Sequence, residues 1–254
     1  MIFYFTATGN SLYVAKKLSE NPISIPQALK NNELNFTDDT IGIVSPVYSG
    51  ELPVIVQEFL KKVSLNAKYI YVVLTYGNDE TVSAKWSKDF ASKCGINVDF
   101  IATVKMVDNY LPVFDMNEQK KIDKNVDGQL STVISDINTH RIHIPKASLK
   151  SKMLYKFVKK MHTDHPEMIN GTTLKIKDNC IGCGICVKIC PRGILTIENS
   201  KAIRTQTTCE FCLSCVNNCP KKAIGFTSQE KNADARYRNE NITLEEIIKA
   251  NNQQ

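Results

Sequence analysis

Eight of the nine cysteines fall between positions 180 and 219, in the runs CIGCGICVKICP (180–191) and CEFCLSCVNNCP (209–220). Both runs are spaced C-x2-C-x2-C-x3-C-P. Thiolate is a soft ligand that selects zinc, copper(I) or iron–sulfur clusters. Three thiolates so closely spaced, on a loop entering a helix, can face three corners of a cubane. The fourth corner must be reached from elsewhere, and a second copy of the motif supplies it by exchange. Zinc usually takes its four ligands as two separated pairs, a form neither run has, so the spacing points to iron–sulfur chemistry. A secreted disulfide framework fits poorly, because the first 140 residues hold a single cysteine and the two short-spaced runs match each other. That ninth residue, Cys94 in FASKCGI, reads as a packing residue at a helix end.

The elements that must position these groups follow from the apolar pattern. Strands are expected at 2–5, 23–25 (a short edge), 41–44, 69–74 and 98–107, the run YIYVVL being rich in β-branched and aromatic residues. Helices are expected at 10–19, after Pro53, at 81–93 and as one long element over 117–138. A polar loop is expected after 23–25. Strands alternating with helices predict an α/β doubly wound parallel sheet. A basic amphipathic linker helix is expected within 146–171, with Leu149, Met153, Leu154, Phe157, Val158 and Met161 at helical spacing. Beyond it, strands are expected at 174–176 and 223–226, with a hairpin turning at Asn199-Ser200. The Cys-run followed by a short apolar stretch occurs twice, an internal repeat of about thirty residues. In the tail, Thr243 and Glu246 have capping-box spacing. The expected division is 1–145, 146–171, 172–228 and a tail, 229–254.

Between the first strand and first helix lies TATGNS (6–11), where this architecture binds phosphate with backbone N–H groups and a helix N-terminus. It is neither a P-loop nor G-x-G-x-x-G. The hydroxyls of Thr6, Thr8 and Ser11 and the Asn10 amide would instead wrap a phosphate without a cation. SPVYSGELP (45–53) and TYGNDET (75–81) follow the third and fourth main strands at their carboxyl ends, where ligands bind. DNYLP (108–112), after the last strand, adjoins the same crevice.

TATGNS resembles the flavodoxin phosphate loop, T/S-x-T-G-N-T, with Ser11 at the last threonine. The cysteine runs resemble the bacterial two-cluster ferredoxin signature. With PVYSG (46–50), TYGN (75–78) and ARYRNENITLEEI (235–247), nearly the whole chain resembles the flavodoxin–ferredoxin fusion proteins of anaerobic bacteria and archaea. The resemblance implies a flavodoxin-like doubly wound sheet followed by a small α+β bacterial ferredoxin-like domain. It implies non-covalent FMN on Thr6, Ala7, Thr8, Gly9, Asn10 and Ser11, on Pro46, Val47, Tyr48, Ser49 and Gly50, and on Thr75, Tyr76, Gly77 and Asn78. Tyr48 would cover the flavin ring. It also implies two 4Fe–4S clusters, one on Cys180, Cys183, Cys186 and Cys219, the other on Cys190, Cys209, Cys212 and Cys215. Gly182 and Gly184 would offer N–H groups to the first cluster. The second run has Glu210, Phe211, Leu213 and Ser214 instead.

The function so implied is electron transport between FMN, the clusters and a protein redox partner. The alternative is a flavin-dependent reductase of a small acceptor (quinone, flavin, nitro compound or O2). No G-x-G-x-x-G is present for a pyridine nucleotide, and His140, His143, His162 and His165 lie outside the expected crevice, so no catalytic residue is assigned. The net charge of +6 is uneven: 1–140 carry 13 Lys/Arg against 16 Asp/Glu, and 141–254 carry 19 against 10. Two thiolate-held clusters and an FMN phosphate would add about −4 and about −2, so nucleic acid is not expected as a partner. The Lys-rich stretch 141–163 is expected to suit an acidic partner. With no apolar run long enough to span a membrane and no charged flank before MIFYF, a cytoplasmic chain is expected. Homodimerisation is left open.

Overall fold

The apolar runs of the first part of the chain pair side by side in parallel, each buried on both faces by the helices between them. A computed structural model describes residues 1–254. Strands β1 (Ile2–Tyr4), β2 (Ile23–Ser24), β3 (Thr40–Pro46), β4 (Tyr69–Tyr76) and β5 (Phe100–Lys105) form one five-stranded sheet in the order β2-β1-β3-β4-β5. Every pairing in it is parallel. The helices are α1 (Asn10–Leu18), α2 (Ile25–Asn31), α3 (Val54–Lys62), α4 (Ser83–Lys93), α5 (Val126–Asn138) and α6 (Leu149–Asp164). Phe3, Phe5, Ile41, Ile43, Phe59, Leu74 and Phe100 are fully buried and make the core of this sheet. The strand order reverses at β1, whose two neighbours are β2 and β3, so a topological switch point lies at the carboxyl ends of β1 and β3.

Three elements differ from the sequence reading. Residues 25–31 are helical rather than a loop, because Ser24 caps the helix by accepting from the Gln27 N–H and Pro26 sits in its first turn. The long helix expected over 117–138 is interrupted. A single turn, Met116–Gln119, is separated from α5 by Asn125, which sits at φ 48 with its N–H bonded to Asp123. That local Asx turn competes with helix continuation. Finally, α6 has no buried residue, and it turns Leu149, Met153 and Phe157 outward at 79%, 72% and 67% exposure. The opposite side holds it: Tyr155 Oη donates to Glu51 Oε1 at 2.6 Å, and Lys159 Nζ donates to the same oxygen. Cys94 caps α4 at its C-terminus, half-buried, with its thiol pushed up by burial.

The chain divides into two compact units that do not follow one cut. The first comprises Met1–Thr6, Asn10–Val107 and Asp123–Lys160; the second comprises Ala7–Gly9, Asp108–Ile122 and Met161–Gln254. In the second, β6 (Leu174–Ile176) pairs antiparallel with β9 (Ile224–Phe226). Strands β7 (Leu195–Glu198) and β8 (Lys201–Arg204) form a hairpin. Its turn residues, Asn199 and Ser200, lie at φ 47 and 59, as a two-residue type I′ turn requires. The single-turn helices α7 (Ile185–Lys188) and α8 (Ser214–Asn217) carry the cysteine runs, and α9 (Leu244–Asn251) begins with a complete Thr243–Glu246 capping box. No helix is long and apolar enough to cross a membrane.

The tightest fit in the sheet is at Gly42 of β3, which faces Tyr71 of β4 in register. A Cβ there would stand 2.3 Å from the buried Tyr71 ring. Gly42→Ala is expected to destabilise the chain by about 1–3 kcal/mol through overpacking, measured as a lower urea midpoint. Adding Tyr71→Leu should recover part of that loss.

Candidate functional site

The four-residue helices α7 and α8 set the cysteines. Each begins at a residue held in the left-handed region: Gly184 at φ 75 and Leu213 at φ 59. Two positions earlier the same conformation recurs, at Gly182 (φ 63) and Phe211 (φ 51). The two runs therefore trace the same path although only the first has glycines. At Gly182 the requirement is also steric, since a Cβ would fall 2.7 Å from the Ser200 carbonyl oxygen. The glycines shape the loop, whereas the N–H groups that reach sulfur come from Ala202 (to Cys180, 3.4 Å), Ala223 (to Cys219, 3.3 Å) and Phe211 (to Cys209, 3.3 Å).

The eight sulfurs face two cavities. Cys180, Cys183, Cys186 and Cys219 line one of about 340 Å³, counting space open to solvent, with Ile185, Ile197 and Ala202 among its apolar walls. Cys190, Cys209, Cys212 and Cys215 line the other, of about 400 Å³ on the same measure, with Leu174, Leu195 and Leu213. Each cavity thus takes three cysteines from one run and the fourth from the other. All eight are free thiols. No three His, Cys, Asp or Glu side chains converge so as to hold a single metal ion; the thiols stand around a space.

In each ring at least one buried cysteine is disfavoured as thiolate. Cys186 is pushed up to about 11, first by burial and then by Cys219, Cys180 and Cys183. Burial raises Cys212 strongly and Cys215 as well, with Cys209 and Cys190 adding to both. Burial likewise raises Cys209, opposed in part by its bond from the Phe211 N–H and by Arg204. Four soft donors, N–H bonds to sulfur and a multi-atom space between them fit a 4Fe–4S cluster. Gly171, at φ 79, serves the second cavity by close approach: a Cβ there would lie 2.7 Å from Cys209 Sγ. Glu210 was legible as the polar residue inside the second run, whereas sequence reasoning missed Gly171 and the cations Arg192 and Arg204 in the wall of this cavity, for which the motif carries no signal.

In the first unit, the expected flavin residues stand at strand ends. Pro46 ends β3, while Thr75 and Tyr76 end β4. Ser11 and Thr75, both buried, join their hydroxyls at 2.8 Å, and Asn10 Nδ2 donates to the Val107 carbonyl at 3.1 Å. Val47 N–H donates to the Thr75 carbonyl at 2.9 Å. Tyr48 and Glu51 exchange backbone bonds around Ser49 and Gly50, at φ 53 and 86, and the Tyr48 ring meets Phe5 edge-on at 6.5 Å. Gly77 and Asn78 begin the bend that follows β4. Thr6 is buried, and α1 has no acidic residue in its first turn, which leaves its N-terminus suited to an anion.

The turn Ala7–Gly9 belongs to the second unit. There Ser214 Oγ, between two cysteines of the second run, donates to the Ala7 carbonyl at 2.7 Å. Asn109 Nδ2 donates to Thr8 Oγ1 at 2.7 Å, and the Asn239 N–H donates to the Thr8 carbonyl at 2.8 Å. Gly9 lies at φ 103, and a Cβ on it would stand 2.9 Å from Asn239 Cβ.

A family profile described as a 4Fe-4S dicluster domain matches residues 179–224. A ferredoxin of Methanothermococcus thermolithotrophicus is 38% identical over 50 residues, 18% of this chain and 83% of that protein. A ferredoxin of Pyrobaculum islandicum is 43% identical over 54 residues, 21% of this chain and 50% of that one. A component of an ion-translocating oxidoreductase complex of Methanosarcina acetivorans is 44% identical over 45 residues, 18% and 17% of the respective lengths. The chain thus spans half or less of the last two.

The exchange of fourth cysteines makes a crossed prediction. Cys219→Ala should remove the iron–sulfur signal of the site built on the first run, and Cys190→Ala that of the site built on the second. Each can be checked by the electron paramagnetic resonance signal that survives: Cys190→Ala should retain the same signal as Cys209→Ala. A Cys190→Ala protein matching Cys180→Ala instead would contradict the geometry.

Proposed function

We propose, from the premise that the chain belongs through residues 179–224 to the 4Fe-4S dicluster ferredoxin family, that it is an electron carrier joining a flavin to two iron–sulfur clusters and on to a protein redox partner. The observation that carries this reading is the pair of cavities, each ringed by four cysteines drawn three and one from the two runs. Iron–sulfur electron transfer is what such a domain performs. The account of the first 145 residues as a flavodoxin-like FMN domain, and of 172–228 as the ferredoxin domain, is part of the proposal. Its support is the β2-β1-β3-β4-β5 order, which is the 2-1-3-4-5 order of the flavodoxin-like doubly wound fold. Further support comes from the hydroxyl-rich turn that follows β1 and from the lack of acidic residues in the first turn of α1.

FMN, when bound, supplies two-electron and one-electron chemistry in one group, while a cluster carries one electron at a time. The chain's residues would serve that pairing by position. Thr6, Thr8, Asn10 and Ser11 would hold the phosphate end; Tyr48 and 75–78 would flank the ring. The lysines of α6 (150, 152, 156 and 160) are exposed beside Leu149, Met153 and Phe157. That combination suits docking of an acidic redox protein, with encounter that slows as salt rises.

Anaerobic purification followed by metal, sulfide and flavin analysis tests the proposal. It should give about eight iron and about eight sulfide per chain, in keeping with two cubane clusters, and FMN in equal amount to protein. Zinc without sulfide would overturn the iron–sulfur reading, and iron and sulfide without flavin would overturn the FMN reading alone.

A further inference from the structure

The two cysteine cavities differ in the charge placed beside them. The one lined by Cys190, Cys209, Cys212 and Cys215 also has Arg192, Arg204 and Glu210 in its wall. Arg192 and Glu210 neutralise each other: Arg192 Nε donates to Glu210 Oε1 at 2.7 Å, Nη2 contacts the same oxygen, and the carboxylate side chain is only 2% exposed. Arg204 has no carboxylate. Its Nη1 donates to the neutral carbonyl of Gly171, and the residue is half-buried. The cavity lined by Cys180, Cys183, Cys186 and Cys219 has Lys221 as its charged neighbour, and Lys221 is exposed, so water and salt screen it. Cys183 is exposed as well. One site therefore faces an unpaired, partly desolvated cation, and the other faces solvent.

Resting on the two-cluster reading above, we infer that Arg204 is a potential-setting residue for the Cys190/Cys209/Cys212/Cys215 site alone. Reduction of a thiolate-held cluster by an external one-electron reductant adds one negative charge; no bond is made or broken. A fixed positive charge nearby favours that added charge, more so where water is excluded. Charge near a cluster is one of the factors that set its potential. The Glu210–Arg192 pair supplies the complementary case, since removing the carboxylate's charge would leave a second cation facing the same site.

Potentiometric titration of the anaerobically isolated full chain, followed by electron paramagnetic resonance, tests this. Wild type should show two iron–sulfur transitions. Arg204→Gln should shift one of them to lower potential by roughly tenfold in the reduction equilibrium, about 59 mV for one electron, leaving the other in place. Glu210→Gln should move the same transition upward, and Arg204→Lys should hold it near its wild-type position. A merely structural role for Arg204 would not produce opposite shifts of one transition. A chain with about four iron overturns the two-cluster reading itself, whereas a single wild-type transition from a chain with about eight iron overturns the inference alone. Two transitions that Arg204→Gln and Glu210→Gln leave in place, or shift in the same direction, overturn the inference alone.

Discussion

Eight thiols held within 40 residues make a structure that opposes itself until something positive is placed among them. Burial disfavours the thiolates of Cys186, Cys212 and Cys215, and neighbouring sulfurs disfavour them further. A cationic core in either cavity would turn the same crowding into cohesion, because four cysteine donors line each one. The second unit is arranged around that condition. The helices that carry its cysteines last a single turn, its hairpin doubles back at Asn199-Ser200, and backbone N–H groups from β8, from Ala223 just past the second run and from Phe211 within that run point at sulfur. The exchange of Cys190 and Cys219 makes the two sites interdependent, so neither run can complete its ring without the other.

The first unit answers a different constraint. A parallel sheet buried on both faces needs helices as crossovers, and the reversal of strand order at β1 leaves a crevice at the carboxyl ends of β1 and β3. The residues gathered at those ends are hydroxyls, amides and glycines, with Ser11 bonded to Thr75 across two strand ends. The turn after β1 offers hydroxyls and backbone amides and no charged side chain, while the loop after β4 brings Asp79 and Glu80 near Tyr76. No acidic residue stands in the first turn of α1.

Much of this was legible in the residues because local rules and the final fold agree. YIYVVL is a strand by composition, Thr243 and Glu246 cap a helix by spacing, and the cysteine periodicity implies the threefold-plus-one arrangement around each cavity. Where the sequence reading failed, tertiary or local side-chain effects decided. Residues 25–31 read as polar loop, yet a serine cap and a proline in the first turn make them helical. Asn125 breaks a pattern that periodicity alone would continue. The outward-turned Leu149, Met153 and Phe157 could not be foreseen, because amphipathic spacing reveals a face without saying which side packs. Glu51 decides that through Tyr155 and Lys159. Phe211 and Leu213 are the clearest case: nothing in their types announces left-handed backbone, and only the repeat with Gly182 and Gly184 does. At about 1–2 kcal/mol for each such non-glycine residue, the ligand geometry outweighs local preference.

The central claim is that one small unit holds two centres close together, each completed by the other's run. The most direct measurement is spin quantitation on the fully reduced, anaerobically isolated full chain. The account predicts about two unpaired spins per chain, one for each one-electron centre, with lines broadened by their mutual coupling. About one spin per chain, with narrow lines unaffected by a neighbour, would contradict it.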